Sequence, residues 1–211
     1  MKINEIFKSI QGESTFAGQP CVFIRTTGCN LRCHWCDTAY AFYEGTEMDL
    51  DSILHRVRDY QCDLIELTGG EPLLQKETPA LIKILLDEGY RVLIETGGSL
   101  DVGVLDPRTT VIMDLKCPGS AMTHEMRWEN LKQLKSTDEI KFVIADRTDY
   151  LWAKDIVERD ALADRHPVLF SPVFGVMDPR QLAAWILEDG LKIKLQLQLH
   201  KYIWEPETRG V

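Results

Sequence analysis

Apolar residues along this 211-residue chain fall in short blocks separated by glycine, proline and charged positions. The block 21–26, Cys-Val-Phe-Ile-Arg-Thr, is rich in β-branched and aromatic residues and predicts a buried strand. Residues 39–48 read as irregular. Asp51 then predicts the cap of a helix reaching about residue 60, with Ile53, Leu54 and Val57 on one face. Strand 64–67 follows, then Thr68-Gly-Gly-Glu-Pro72. A helix from Thr78, with Pro79 at its first position, turns Leu81, Ile82, Leu85 and Leu86 inward and stops at Gly89. The alternation continues through strands 91–95, 111–115, 139–144, 168–171 and 192–199, with helices near 127–135, 150–159 and 179–189.

Strands separated mostly by helices imply βα units and a parallel sheet, because parallel neighbours need crossovers. Apolar runs such as Val111-Ile-Met113 fit strands covered on both faces. The chain is shorter than the roughly 250 residues typical of a closed eight-unit barrel. The expected fold class is therefore α/β, an incomplete βα barrel with a mostly parallel curved sheet, with residues 1–211 as a single domain. Ligands of such folds bind at the C-terminal ends of the strands. Arg25, residues 68–71, 95–99 and 114–116, and Ser171 all follow predicted strands, so one mouth should collect them.

Charge narrows the partners. Lysine and arginine number 24 against 33 acids, a formal net charge of −9, which argues against a surface built to neutralise nucleic-acid phosphates. An anionic small ligand would need a few inward cations, and Arg25, Lys116 and Lys141 are the candidates at probable strand ends. No apolar run approaches the roughly 20 residues of a membrane span. The opening Met1-Lys-Ile-Asn-Glu5 lacks a signal-type apolar core, and the expectation is a cytoplasmic protein.

Half of the six cysteines stand in one loop, Gly28-Cys-Asn-Leu-Arg-Cys-His-Trp-Cys-Asp-Thr38, at the spacing C-x3-C-x2-C. Iron–sulfur clusters are normally held by four thiolates, so Cys29, Cys33 and Cys36 would leave one iron open to a ligand that is not protein. Structural zinc is the competing reading, with His34, Cys62 or Cys117 completing a tetrahedron. A disulfide framework suits neither the crowding nor a reducing compartment. Cys21 and Cys62 read as buried, inert thiols.

Strand, cysteine loop and the later Gly-Gly-Glu-Pro together resemble the radical S-adenosylmethionine enzymes. In that superfamily the three cysteines hold a 4Fe-4S cluster, whose open iron chelates S-adenosylmethionine and cleaves it to a radical that abstracts hydrogen from the substrate. Ile10-Gln-Gly-Glu13, Phe23-Ile-Arg25, Cys36-Asp-Thr38, Leu67-Thr-Gly-Gly-Glu-Pro72, Ile94-Glu-Thr96 and His200-Lys-Tyr202 are similar to the branch that contracts a tetrahydropterin ring on the way to queuosine-type deazapurines. The resemblance covers nearly the whole length. It implies a lyase turning 6-carboxy-5,6,7,8-tetrahydropterin into 7-carboxy-7-deazaguanine with loss of ammonia, a homodimer, and an electron donor such as flavodoxin or ferredoxin.

Carried over residue by residue, the resemblance assigns Ile10, Gln11, Gly12, Glu13, Arg25, Thr68 and His200 to the pterin. It assigns Trp35, Cys36, Asp37, Gly70, Asp114, Leu115, Lys116, Ser171 and Pro172 to S-adenosylmethionine, and Thr38 to Mg²⁺ through its hydroxyl. A hard cation that takes few protein oxygens is compatible with one threonine, a substrate carboxylate and water. Ser14 and Gly97 depart from the glycine and asparagine usual at their positions, so their loops are expected to sit differently. The chain also runs on to Val211 past a point where relatives end and use a terminal carboxylate on substrate. Two other classes stay open: an activase that installs a glycyl radical on a large enzyme, and a non-catalytic zinc-binding module.

Overall fold

The computed structural model describes residues 1–211. Nine strands form one sheet: β1 (Lys2–Ile10), β2 (Pro20–Thr26), β3 (Thr46–Glu47), β4 (Leu64–Gly69), β5 (Arg91–Thr96), β6 (Thr110–Asp114), β7 (Glu139–Ile144), β8 (Val168–Pro172) and β9 (Lys194–Leu195). Their order is β3-β1-β2-β4-β5-β6-β7-β8-β9. From β2 to β9 every pairing is parallel, whereas β1 and β3 add antiparallel strands at one edge. The expected partial, mostly parallel sheet is thus present.

Helices α1 (Leu50–Asp59), α2 (Thr78–Asp87), α3 (Arg147–Arg159) and α4 (Pro179–Asp189) cover one face of the sheet, and a short α5 (His200–Ile203) follows β9. Parallel strands are buried on both faces, and the two faces here have different tasks. Ile24, Ile65, Leu67, Ile94, Met113, Ile140, Phe142 and Phe170 join the inward residues of the helices in one large core. Phe7, Cys21, Phe23, Leu64, Leu93 and Ile112 form a smaller apolar cluster on the other face. Strand alternation then sets the polar residues Arg25, Glu66, Thr68, Glu95 and Asp114 on that same concave face, directly after the apolar ones.

Several sequence expectations shift. β1 was not foreseen, because a register irregularity between Ile3 and Glu5 disrupts its simple alternation. The cap of α1 is Asp49, whose side chain accepts from Ser52 N at 2.8 Å, and Asp51 lies in the first turn. Leu86 is only half-buried, unlike Leu81, Ile82 and Leu85. α3 starts earlier than residue 150 because Asp146 caps it by accepting from Asp149 N at 2.9 Å. The helix expected near 127–135 is a single 3-10 turn, Trp128–Lys132. Its Asn130 amide donates to the carbonyls of Gly98 and Leu100, tying the turn to a neighbouring loop where a helix would have to run free. Of the strand expected over 192–199 only Lys194–Leu195 pairs, and the chain then leaves the sheet for the mouth of the cavity.

Candidate active site

The C-terminal strand ends open into a cavity of about 670 Å³, a size normal for small-molecule sites. The cysteine loop forms one wall. It is held by backbone contacts that only glycine permits: Glu71 N donates to Gly28 O at 2.7 Å and Gly70 N to Thr26 O at 3.2 Å. A Cβ on Gly70 would collide with Gly28 O and crowd Cys29, and one on Gly69 would strike Thr26. The paired glycines after β4 therefore press two loops together. Glu71 finishes the joint, since its buried carboxylate accepts from Thr96 Oγ1 (2.9 Å), Gly97 N (2.8 Å) and Leu73 N (3.0 Å).

Cys29, Cys33 and Cys36 are half-buried, free thiols that all line the cavity. Burial holds the Cys29 and Cys33 thiols above their ordinary value, opposed in part by the Leu31 N–H at Cys29 and by the Lys116 ammonium at both. No three cysteine, histidine, aspartate or glutamate side chains converge closely enough to hold one metal ion. Cys62 is buried with its thiol on Pro20 O, and Cys117 is packed in the large core, so neither completes a tetrahedron with the loop. Three free thiols on one cavity wall, with neither Cys62 nor Cys117 as a fourth, suit an iron–sulfur cluster with an open position better than closed zinc.

The opposite wall joins the chain's two ends. Gln11, Gly12 and Glu13 follow β1, and Gly12 O accepts from Leu199 N at 2.9 Å. A Cβ on Gly12 would occupy the His200 ring, which explains the glycine there. Ser14 takes the left-handed φ of 63°, the conformation that glycine favours at this position. Its N–H donates to Gln196 Oε1 at 3.0 Å and its Oγ accepts from Phe16 N at 3.1 Å, which offsets the strain.

A buried charge network crosses the floor. Lys141 Nζ donates to Glu13 Oε2 at 2.7 Å and to Glu95 Oε1, and lies 3.6 Å from Asp114 Oδ2. Lys141 sits in the middle of β7, not at a strand end as expected. Burial alone would raise the Glu13 carboxyl, but Lys141 and His200 outweigh it and hold it down at about 2. Lys116 Nζ pairs with the same Asp114 oxygen at 2.8 Å, and Asp114 Oδ1 is buried without a partner. Burial lowers His200 below its ordinary value, against the pull of Glu13.

Arg25 is opposite Glu5 in the β1–β2 register, and its Nε donates to Glu5 Oε1 at 2.7 Å. The pairing thus runs across the antiparallel edge of the sheet and not to an acid at a neighbouring strand end. Tyr40 also donates to Glu5 Oε1, at 3.0 Å, and the guanidinium stands 5.9 Å from the ring centroids of both Phe7 and Tyr40. Asp37 pairs with Lys201 at 2.7 Å, and although burial opposes it, Lys201 holds its carboxyl down at about 2. Thr38 precedes a 3-10 turn without capping it, and its hydroxyl has only a 3.8 Å contact with Cys36 Sγ.

Ile10, Gln11, Gly12, Glu13, Arg25, Trp35, Asp37, Thr38, Thr68, Gly70, Asp114, Lys116 and His200 all line this one cavity with the three cysteines. Leu115 does not: it is buried in the large core, because alternation turns it away from Asp114's face. Ser171 and Pro172 end β8 as buried residues outside the lining. Glu66, Tyr40 and Gln198 also line the cavity and were not singled out by the sequence, and residues 206–211 of the C-terminal extension line it too. The available signal for Glu66 was a lone acid inside the apolar strand Leu64–Gly69, at a concave-face position.

A family model described as the radical SAM superfamily matches residues 23–109. A 7-carboxy-7-deazaguanine synthase of Chlorobaculum tepidum is 47% identical over 100% of this chain and 97% of its own length. Its counterparts from Koribacter versatilis and Thermoplasma acidophilum are 44% and 40% identical, the first spanning 100% of both chains and the second 97%. The crystal structure of QueE from Escherichia coli shares the fold with a TM-score of 0.79 at 23% identity, over 94% of each chain. Streptococcus suis SuiB bound to S-adenosylmethionine matches at a TM-score of 0.57 and 14% identity, over 82% of this chain and 48% of that one.

Proposed function

The chain belongs to the 7-carboxy-7-deazaguanine synthase family of radical S-adenosylmethionine enzymes, and we propose that it runs the family reaction through the cavity residues described above. It is a lyase of deazapurine biosynthesis, forming 7-carboxy-7-deazaguanine from 6-carboxy-5,6,7,8-tetrahydropterin. Substrate and product differ by one ammonia, so the conversion needs no net oxidant. The observation that carries the residue assignment is that one cavity is lined at once by the three thiols and by Gln11, Gly12, Glu13, Arg25, Thr68 and His200.

Cys29, Cys33 and Cys36 would hold a 4Fe-4S cluster, with Trp35, Asp37, Gly70, Asp114 and Lys116 beside S-adenosylmethionine. When bound, cluster and S-adenosylmethionine supply the radical chemistry that removes hydrogen from the pterin. The protein holds the pterin's C6 toward the thiol wall and keeps water from it. Arg25 meets the substrate carboxylate or polar edge. Its Nε is fixed by Glu5, so its remaining N–H groups are pre-oriented. The Thr38 hydroxyl, free of any cap bond, would hold Mg²⁺, which would supply a charge for orienting the substrate carboxylate. Asp114 Oδ1, buried and unpartnered, supports a polar ligand at that wall. Ser171, Pro172 and Leu115 serve as backing for the cavity.

We further propose one cytoplasmic domain acting as a homodimer, with flavodoxin or ferredoxin as the external reductant. Exposed Val176 and Tyr202, the latter edge-on to Phe174 at 5.8 Å, supply an apolar patch that supports self-association. No helix is long and apolar enough to cross a membrane. Anaerobic incubation with the tetrahydropterin, S-adenosylmethionine and a strong reductant should yield 7-carboxy-7-deazaguanine by mass. Absence of any deazapurine from iron-replete protein would overturn the reading.

A further inference from the structure

Glu66 is an acid in the middle of an apolar strand, 2% exposed, with no cation in bonding distance. The only hydrogen bond to its carboxyl comes from Gln11 Nε2 to Oε2. The orientation of Gln11 is fixed independently, because the backbone N–H of Glu13 donates to Gln11 Oε1 at 2.9 Å. The amide's NH₂ end must therefore face Glu66, which makes Oε2 an acceptor. The other oxygen has no protein partner, and Glu66 lines the cavity floor beside the stacked rings of Phe7 and Phe23, 5.0 Å apart. A buried carboxyl left in this state would be an uncompensated charge unless it keeps its proton or receives a ligand.

Glu95 and Glu13 face Glu66 across the floor, and Lys141 and Arg25 are the nearest cations, both committed to other acids. Burial first, and then the two neighbouring carboxylates, hold Glu66 well above the usual carboxylate range. With Oε2 fixed as the acceptor of Gln11, a protonated Glu66 carries its proton on Oε1, the oxygen left open at the cavity floor. The floor therefore offers one donor and one acceptor side by side next to two aromatic rings.

We propose that Glu66 is the specificity residue for the heterocycle, donating from Oε1 to a ring nitrogen and accepting the adjacent exocyclic amino group on Oε2. A 2-aminopyrimidine edge, with an acceptor nitrogen beside an NH₂ donor, is the complementary chemistry, and the pterin of the reading above carries one. Oε2 has a second lone pair for the ligand after Gln11. No charge moves on binding, so the pair forms without an ion to desolvate. This deepens the pterin reading and rests on it.

The test uses holoenzyme reconstituted with its cluster and S-adenosylmethionine, and measures binding of oxidised 6-carboxypterin and of its analogue lacking the 2-amino group. Wild type should bind the analogue about tenfold more weakly, the loss of one hydrogen bond. Glu66→Gln should bind 6-carboxypterin within a few-fold of wild type, because a neutral amide presents the same donor and acceptor. Glu66→Leu should lose roughly ten- to a hundredfold and no longer distinguish the two ligands. Equal binding of both ligands by wild type overturns the proposal without any variant. Retained discrimination in Glu66→Leu overturns it too, and a fall in Glu66→Gln matching that of Glu66→Leu overturns the uncharged pairing. In each case the pterin reading survives, whereas failure of wild type to bind either ligand removes both.

Discussion

Glu5 and Arg25 face each other across the one antiparallel pairing of β1 with β2, and Arg25 Nε donates to Glu5 Oε1 at 2.7 Å. The strand that no apolar pattern announced thus supplies the carboxylate that aims a guanidinium into the cavity.

Arg25→Ala should weaken binding of the carboxylated pterin about ten- to a hundredfold, the worth of a charge-assisted hydrogen bond, with iron content unchanged. Arg25→Lys should recover part of it, since an ammonium keeps the charge but not the planar fork. Arg25→Ala leaves Glu5 only its Tyr40 bond, so the variant's melting temperature will also fall, and binding is measured well below the transition. Normal binding with only a lower melting temperature would make Arg25 purely structural.

Acid should unfold the protein partly through Glu13. Its folded-state value, about 2, lies below the ordinary 4.5, because Lys141 and His200 outweigh burial. The folded form therefore binds the proton less readily than the unfolded one. The stability this contributes is complete above about pH 4.5 and is lost as pH falls toward 2. Glu13→Gln should flatten the melting temperature across that window relative to wild type. An unchanged slope would show that the Lys141 pairing contributes nothing.

Iron content should separate the cysteines. Cys33→Ala should lose the cluster, whereas Cys62→Ala keeps it, because Cys62 is buried with its thiol on Pro20 O ahead of β4. Iron kept by the first variant and lost by the second would reverse the ligand assignment.

Much of this site was readable because its chemistry sits in contiguous loops. Cys29, Cys33 and Cys36 announce themselves by spacing, Thr68 to Pro72 by its place after a strand, and Gln11 to Glu13 through the family resemblance. What was not readable depends on register. Glu66 joins the floor because strand alternation turns it to the concave face, Lys141 was named as an inward cation but reaches the floor from mid-strand, and Glu5 reaches Arg25 through a strand whose pattern is broken at Ile3. The short β9 and the turn at Trp128–Lys132 are set by tertiary ties, Gln196 to Phe170 and Asn130 to Gly98, that local propensity does not encode.

Thr38→Ala should keep the cluster and S-adenosylmethionine binding, turn over more slowly, and respond less to added Mg²⁺. The hydroxyl makes no cap bond, so its removal costs the fold little. Undiminished Mg²⁺ stimulation in the variant would move the cation elsewhere.

The most direct test of the account is turnover of the tetrahydropterin deuterated at C6, with mass analysis of every adenosyl species. Holding C6 toward the thiol wall predicts that deuterium appears on the 5′ carbon of 5′-deoxyadenosine and, as S-adenosylmethionine is regenerated, on that molecule as well, alongside 7-carboxy-7-deazaguanine. Product formed with no deuterium in any adenosyl species would contradict it.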